Sequence, residues 1–269
     1  MKPATSNQQP ATRTLPGPQA PIVAVDLEIA YGHVVIQRGL NFTVRSGEIF
    51  VIMGGSGCGK TTVMRSLTGL KAPSRGQVFL EGVSFWESGQ TTRDRIARNI
   101  GIVYQSGALW SSMTLSENVS LPLDEFTDLP PREIRELAAL KLSLVGLAGF
   151  EDYYPSEISG GMRKRAGVAR ALALDPKFLF FDEPSAGLDP VTSSLLDDLI
   201  LELRDSLGTT MVLVTHELPS IFSVADNCVF LDAETHTMIA SGDPKRLKKE
   251  CNDPKVHAFL TRGGKNRTG

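Results

Sequence analysis

The chain has 269 residues, longer than one average domain of ~100 to 200 residues and shorter than two, so one enlarged domain and a pair are both open. Hydrophobic residues at 41% and charged residues at 22% are the balance of a globular protein with a sizeable core, which excludes wholesale disorder. A net charge of -2 removes the general attraction to nucleic acid or anionic lipid expected of a basic protein, so any such partner must be met locally. Residues 1–21 are rich in Pro, Thr, Gln and Ala, lack the apolar stretch of a secretory signal, and read as a disordered leader. That leader has no acidic residue, which keeps an organelle transit peptide open, although Lys2 and Arg13 are its only bases. No apolar run reaches the ~18 to 20 residues of a spanning helix, and the chain is expected not to cross a membrane. Cys58, Cys228 and Cys251 are odd in number, widely spaced and without a C-x-x-C pair, which indicates neither a disulfide framework nor a zinc site and fits a reducing compartment.

Along the chain, Ile22 to Ala30 sets Val23, Val25, Leu27 and Ile29 against Asp26 and Glu28, the period of a half-buried strand, and Leu40 to Val44 repeats it. With Gly76 to Leu80 these segments predict a small antiparallel sheet ahead of the main core. Ile49 to Met53, Phe178 to Phe181 and Met211 to Val214 are apolar without alternation, as suits parallel strands buried on both faces. Helices are predicted from Thr62 to Thr68, from Pro131 to Leu144 with Glu133 in its first turn, from Met162 to Leu174 before Asp175 and Pro176, and from Val191 to Leu207 before Gly208. The alternation argues an α/β fold spanning about 22–262, with a mostly helical subdomain inserted at about 106–173 and a flexible tail at 263–269. No internal repeat is visible.

Three segments carry chemistry. Gly54-Gly55-Ser56-Gly57-Cys58-Gly59-Lys60-Thr61 fits G-x-x-x-x-G-K-[ST] and sits between an apolar strand and a helix. Its glycines let consecutive backbone N–H groups turn toward phosphate oxygens, and the helix adds its positive end. Lys60 would bridge the β- and γ-phosphates and Thr61 would ligate Mg²⁺. A flexible surface turn is the plainer alternative, and G-x-G-x-x-G is not satisfied, which disfavours a dinucleotide. Phe178-Leu179-Phe180-Phe181-Asp182-Glu183-Pro184 is an apolar strand ending in two acids. A metal shared by Asp182 and Thr61 would offset the cost of burying a carboxylate, leaving Glu183 to orient or deprotonate a water; a solvated acidic turn is the alternative. Met211 to Val214 then leads to Thr215 and His216, where a histidine could hydrogen-bond a γ-phosphate or be merely structural. Ligands of open parallel sheets lie beyond the carboxyl ends of strands, and all three signals are there.

Glu157-Ile158-Ser159-Gly160-Gly161-Met162 precedes a basic helix, Arg163-Lys164-Arg165-Ala166-Gly167-Val168-Ala169-Arg170. Taken with Tyr31, Gln105 and Ser185-Ala186-Gly187-Leu188-Asp189 in this order, the pattern resembles the nucleotide-binding subunit of ABC transporters over about Ile22 to Leu260. The resemblance implies a P-loop NTPase (RecA-like) core with an N-terminal antiparallel β subdomain and an inserted α-helical subdomain. It implies that Tyr31 stacks on adenine; that Gly54, Gly55, Ser56, Gly57, Cys58, Gly59, Lys60, Thr61 and Thr62 bind phosphates; and that Thr61, Gln105 and Asp182 hold Mg²⁺. Glu183 and His216, with Lys60 and Gln105, would carry catalysis of ATP hydrolysis. Ser159, Gly160 and Gly161 would act in trans on the ATP of a second copy, and Asp189 would let the two halves sense each other. Individually, Ser-Gly-Gly fits a linker turn, Arg163 to Arg165 a solvated face or weak nucleic-acid patch, and Tyr31 a core or interface aromatic. Cys58 reads as a small loop residue, with redox control as the lesser alternative.

Ile158 and Met162 stand where Leu and Gln are usual in that family, and the second change removes an amide from the expected trans site. Ser159 to Met162 with the basic helix, and Gln105-Ser106-Gly107-Ala108-Leu109-Trp110, are similar to ATPases of Mla and Mce-type lipid transport systems. That similarity implies a homodimer peripheral to the cytoplasmic face of the inner membrane, working with an integral membrane permease, an Mce-domain substrate-binding protein and a STAS-domain protein, without direct nucleic-acid contact. An importer ATPase for a small polar solute would share every ATP-site motif. An ABC-type ATPase acting on DNA or ribosomes would be expected to add long coiled coils or a second ATPase unit, and neither is in this sequence.

Overall fold

The structure, a computed structural model, describes residues 20–261. The expected leader falls outside the described residues except for its last two positions, and the expected tail lies wholly outside them. Strands β1 (Ile22–Tyr31) and β2 (Val34–Val44) form an antiparallel hairpin. Beyond β3 (Ile49–Gly54), β4 (Arg75–Leu80) pairs with the other edge of β1, and the short β5 (Val83–Ser84) completes a sheet of order β2-β1-β4-β5. The simple alternation expected for β1 breaks in its middle. Asp26 has φ 44° and the register shifts between Ala24 and Leu27, so the face packed into the core carries Ile22 and Ala24 before the bulge and Leu27 and Ile29 after it. Gly76 on β4 accommodates that bulge: a Cβ there would lie 2.2 Å from the Asp26 carbonyl oxygen.

The second sheet adds β6 (Ile100–Val103), β7 (Phe178–Asp182), β8 (Thr210–Val214), β9 (Asn227–Asp232) and β10 (Thr237–Gly242), in the order β10-β9-β3-β8-β7-β6. All neighbours are parallel except the edge strand β10. Every residue of β3 and of β8 is buried, because alternate side chains enter two cores. Phe50, Ile52, Phe178, Phe180, Val212 and Val214 pack toward the first sheet, whereas Val51, Met53, Leu179, Phe181, Met211 and Leu213 pack toward helices.

The helices are α1 (Lys60–Leu67), α2 (Gln90–Ala97), α3 (Leu115–Phe126), α4 (Pro131–Leu144), α5 (Gly160–Ala171), α6 (Pro190–Leu207), α7 (Leu218–Val224), α8 (Pro244–Glu250) and α9 (Pro254–Leu260). Helix α1 starts two residues before the expected Thr62, and α5 two before Met162, because the preceding residue serves as the cap in each case. Helices α3 and α4 pack on each other and on α5, while α5 also lies against β6 and so joins the helical layer to the sheet. Among the described residues no helix is long and apolar enough to cross a membrane. The order β3-β8-β7 sets three polar strand ends side by side.

Candidate functional site

Between the end of β3 and the start of α1, the chain turns through 54–59. A Cβ on Gly54 would meet the Leu231 carbonyl oxygen at 2.4 Å and Cys58 Sγ at 2.8 Å; one on Gly59 (φ 95°) would meet Ile36 Cγ2 at 2.5 Å. Glycine is therefore imposed at both by close packing on β9 and β2. Gly55 and Gly57 face open space, with Gly57 at φ 77°, and Ser56 is exposed between them. Cys58 points the other way: it is 2% exposed, packs into the core, and burial pushes its thiol up. Lys60 is buried, and its Nζ donates to the carbonyls of Gly54 (3.1 Å) and Gly55 (3.0 Å).

The two neighbouring strands complete the cluster. Thr61 Oγ1 donates to Asp182 Oδ1 at 2.8 Å, and Thr62 follows it, half-buried, on α1. Burial raises the Asp182 carboxyl, an effect that the Thr61 hydrogen bond opposes and the Glu183 charge reinforces. Glu183 lies at φ 48°, a region costly for a side chain with a Cβ, while its N–H still donates to the Val214 carbonyl at 2.8 Å. This turn aims its carboxylate at His216, whose Nδ1 is 2.9 Å from both oxygens, and leaves Oε1 3.9 Å from Lys60 Nζ. A cationic amine, a half-buried carboxylate paired with a hydroxyl, and a carboxylate paired with an imidazole thus converge over a glycine-lined loop. That set can neutralise phosphate oxygens and take a proton from water.

Residues 37–186 match the family described as ABC transporter. The chain belongs to that family. It is 38% identical over 235 residues to the intermembrane phospholipid transport system ATP-binding protein MlaF of Escherichia coli, covering 87% of this chain and 86% of that protein. It is 37% identical over 257 residues to the probable ribonucleotide transport ATP-binding protein mkl of Mycobacterium tuberculosis, covering 95% of this chain and 71% of that protein. Among solved structures, cbiO1 from Clostridium perfringens, part of the ABC transporter complex cbiONQ, has TM-score 0.79 at 28% identity and covers 86% of this chain and 92% of that one. The ATP-binding cassette MJ0796, solved as a dimer in a post-hydrolysis state with ADP and Pi, has TM-score 0.74 at 27% identity, covering 82% and 98%.

In this ABC ATPase the remaining expected residues stand apart from the cluster. Tyr31, Gln105, Ser159, Gly160, Gly161 and Asp189 make no hydrogen bond or ion pair with Lys60, Asp182, Glu183 or His216. Tyr31 ends β1 with its ring 48% exposed and Lys71 Nζ 4.0 Å from the ring centroid. Gln105 is exposed just beyond β6. Ser159 caps α5, its Oγ accepting from the Met162 N–H at 3.2 Å. Asp189 caps α6, accepting from the N–H groups of Val191 (3.1 Å) and Thr192 (3.0 Å), and the Thr192 hydroxyl holds its carboxyl below the usual range. The two caps are neighbours, since a Cβ on Gly161 would strike Thr192 Cγ2 at 2.4 Å. Gly161 is thereby explained within one chain, by the approach of α5 to α6.

The basic run after the caps is no solvated face, and sequence reasoning missed its role. Lys164 is buried; its Nζ donates to the carbonyls of Pro184 and Ala186 and lies 3.5 Å from that of Glu183. Burial lowers its ammonium, with the Glu183 charge acting against the shift. Arg163 donates to the Ile158 carbonyl at 2.7 Å and Arg165 to that of Val145 at 3.1 Å. These cations satisfy loop carbonyls, a use for which a charge run carries no sequence signal.

Proposed function

We propose that this ABC ATPase energises phospholipid transport through a separate integral membrane permease, acting as a homodimer peripheral to the cytoplasmic face of the inner membrane. The observation that carries the catalytic reading is the convergence of Lys60, Thr61 with Asp182, and Glu183 with His216 at the ends of β3, β7 and β8. Backbone N–H groups of 54–62 and the Lys60 ammonium receive the phosphates, the ammonium exchanging its two carbonyl partners for phosphate oxygens. The Thr61 hydroxyl and Asp182 carboxylate are hard oxygen donors already in contact, and a cation beside them would favour the ionised form that burial opposes, so the pair fits Mg²⁺, with Gln105 as a further ligand. Bound there, Mg²⁺ would neutralise charge on the β- and γ-phosphates.

Glu183 accepts a proton from the attacking water as its oxygen bonds to the γ-phosphorus; the bond to the bridging oxygen breaks, and its electron pair stays on ADP. His216 holds the carboxylate through Nδ1, while its Nε2, 3.7 Å from Glu217 Oε1, would exchange that contact for the phosphate. Tyr31 stacks on adenine; Ser159, Gly160 and Gly161 at the start of α5 meet the nucleotide of the second copy, beside Asp189. The lipid cargo is supported by the similarity to MlaF along most of both chains; an Mce-domain substrate-binding protein and a STAS-domain protein are the partners we propose with it. The name of mkl favours a second reading, in which the cargo is a small polar solute such as a ribonucleotide.

Replacing Glu183 with Gln is expected to cut steady-state ATP turnover at least about 100-fold while ATP binding persists. Turnover at the wild-type rate would overturn the base assignment. With the permease co-purified in nanodiscs, stimulation of ATPase by phospholipid supports the first cargo and stimulation by ribonucleotide the second.

A further inference from the structure

Gln37 lies on β2, away from every motif that names this family, and is fully buried. Its Nε2 donates to the Cys58 carbonyl at 2.7 Å and to the Asp232 carbonyl at 3.0 Å, while its Oε1 is buried without a hydrogen-bond partner. Both carboxamide hydrogens are therefore spent on joining two backbone segments, the phosphate loop and the end of β9. The second of these is firmly held: Lys255 Nζ contacts both Asp232 carboxylate oxygens, at 3.0 and 2.9 Å, and Thr235 donates to Oδ2 from its N–H and its hydroxyl. Packing adds to the constraint, because Gly59 sits so close to β2 that a Cβ would lie 2.5 Å from Ile36 Cγ2 and 3.4 Å from Gln37 Cγ.

A trans peptide is planar, with its C=O and N–H pointing in opposite directions. Drawing the Cys58 carbonyl toward β2 directs the N–H of Gly59, on the other edge of the same peptide, toward the concave side of the loop. That N–H makes no hydrogen bond to any described residue, unlike the Cys58 N–H, which faces the Gly55 carbonyl. We propose that Gln37 is a positioning residue for ATP binding, fixing the 58–59 peptide so that the Gly59 N–H faces the nucleotide phosphates. The proposal rests on the reading that 54–62 cradles those phosphates. Without the side chain, the peptide is free to rotate and must be reordered each time nucleotide binds, which weakens binding and leaves the chemical step alone.

The test uses the full chain with Gln37→Met, similar in length and without donors, Gln37→Glu, which keeps the shape but turns a carboxylate toward two carbonyls, and Lys60→Ala as control. ATP affinity by calorimetry, KM and kcat are measured alongside the melting midpoint without nucleotide. Gln37→Met is expected to raise Kd and KM for ATP about tenfold with kcat within about twofold, and to lower the unliganded melting midpoint because two carbonyls lose their donor; Gln37→Glu should lose at least as much affinity. If either folded variant keeps Kd and KM within about twofold of wild type while Lys60→Ala loses ATP binding, Gln37 has no positioning role. Wild-type affinity in Lys60→Ala would instead overturn the phosphate-loop reading, and this proposal with it.

Discussion

Asp197 offers a quantitative test of how the region behind the Glu183 loop is built. It lies on α6 only 4% exposed, hydrogen-bonded to Ser220 at one oxygen, while Oδ1 is buried with no partner. Ser220 in turn lies 3.5 Å from the hydroxyl of Ser185, two residues beyond Glu183. Burial, aided by the charge of Asp198, pushes the Asp197 carboxyl from its ordinary 3.8 up to about 6. A raised carboxylate means that the folded state binds the proton more tightly than the unfolded state, so this group costs stability progressively as pH climbs from the unfolded value through the folded one. At 1.36 kcal/mol per pKa unit the cost is about 0.6 kcal/mol at pH 4, about 1.6 at pH 5 and about 3 by pH 8. Asp197→Asn keeps an acceptor for Ser220 and has no charge to bury. Its stability relative to wild type is therefore expected to rise by about 2 to 3 kcal/mol between pH 4 and pH 8, roughly 4 to 12 °C in melting midpoint for a domain of this size. Paired melts of the two proteins across that range cancel the titration of all other groups. A difference that stays flat from pH 4 to pH 8, or that falls, would refute the assignment.

Two further outcomes probe the surroundings of Glu183 and of the 54–59 loop. Lys164→Met leaves the carbonyls of Pro184 and Ala186 without their donor and frees the segment that aims Glu183; ATPase measurements should give a kcat about tenfold lower, and melting a loss of ~1 to 3 kcal/mol. Undiminished kcat in a destabilised variant would confine Lys164 to stability alone. Cys58, buried and with its thiol pushed up, should alkylate far more slowly at pH 7.5 than the half-buried Cys251, as read by mass spectrometry of timed digests. Prompt labelling of Cys58 with loss of ATPase would restore redox control as a role for it.

The strands of the second sheet that were readable share one property: burial by apolar composition. β3, β7 and β8 are uninterrupted apolar runs, and strands covered on both faces have to be. β6 escaped because it is four residues long and contains Gly101, whose presence makes sense only beside α5, where a Cβ would lie 2.4 Å from the Ala171 carbonyl. β9 has only four apolar residues between Asn227 and Asp232, and its place follows from pairing with β3, which local periodicity does not carry. Helix α3 was hidden by Pro122 in its interior, yet a local signal was there: Thr114 and Glu117 form a reciprocal capping box at its start. In β1 the expected phase held after the bulge, at Leu27 and Ile29, and failed before it, where Ile22 and Ala24 face the core, since one residue in a left-handed conformation moves the buried set across the strand.

The site divides along the same line. The convergence of Lys60, Thr61, Asp182, Glu183 and His216 was legible because ligand-facing polar residues collect where parallel strands end. Lys164, Gln37 and Asp197 were not, because a polar side chain buried through its partners has no hydrophobic period to betray it. The loss is mechanical as much as chemical. Lys164 belongs to the first turns of α5, the helix capped by Ser159, and its ammonium grips the loop that leaves Glu183. Gly161, one turn earlier, abuts Thr192, which in turn bonds Asp189. The start of α5, the start of α6 and the loop that carries the Glu183 carboxylate thus form one braced unit. If a second copy closes on Ser159 to Gly161, the force it applies passes through Lys164 to the loop behind Glu183, so the surface proposed to meet the partner's nucleotide and the site proposed to hydrolyse this chain's own ATP cannot shift independently.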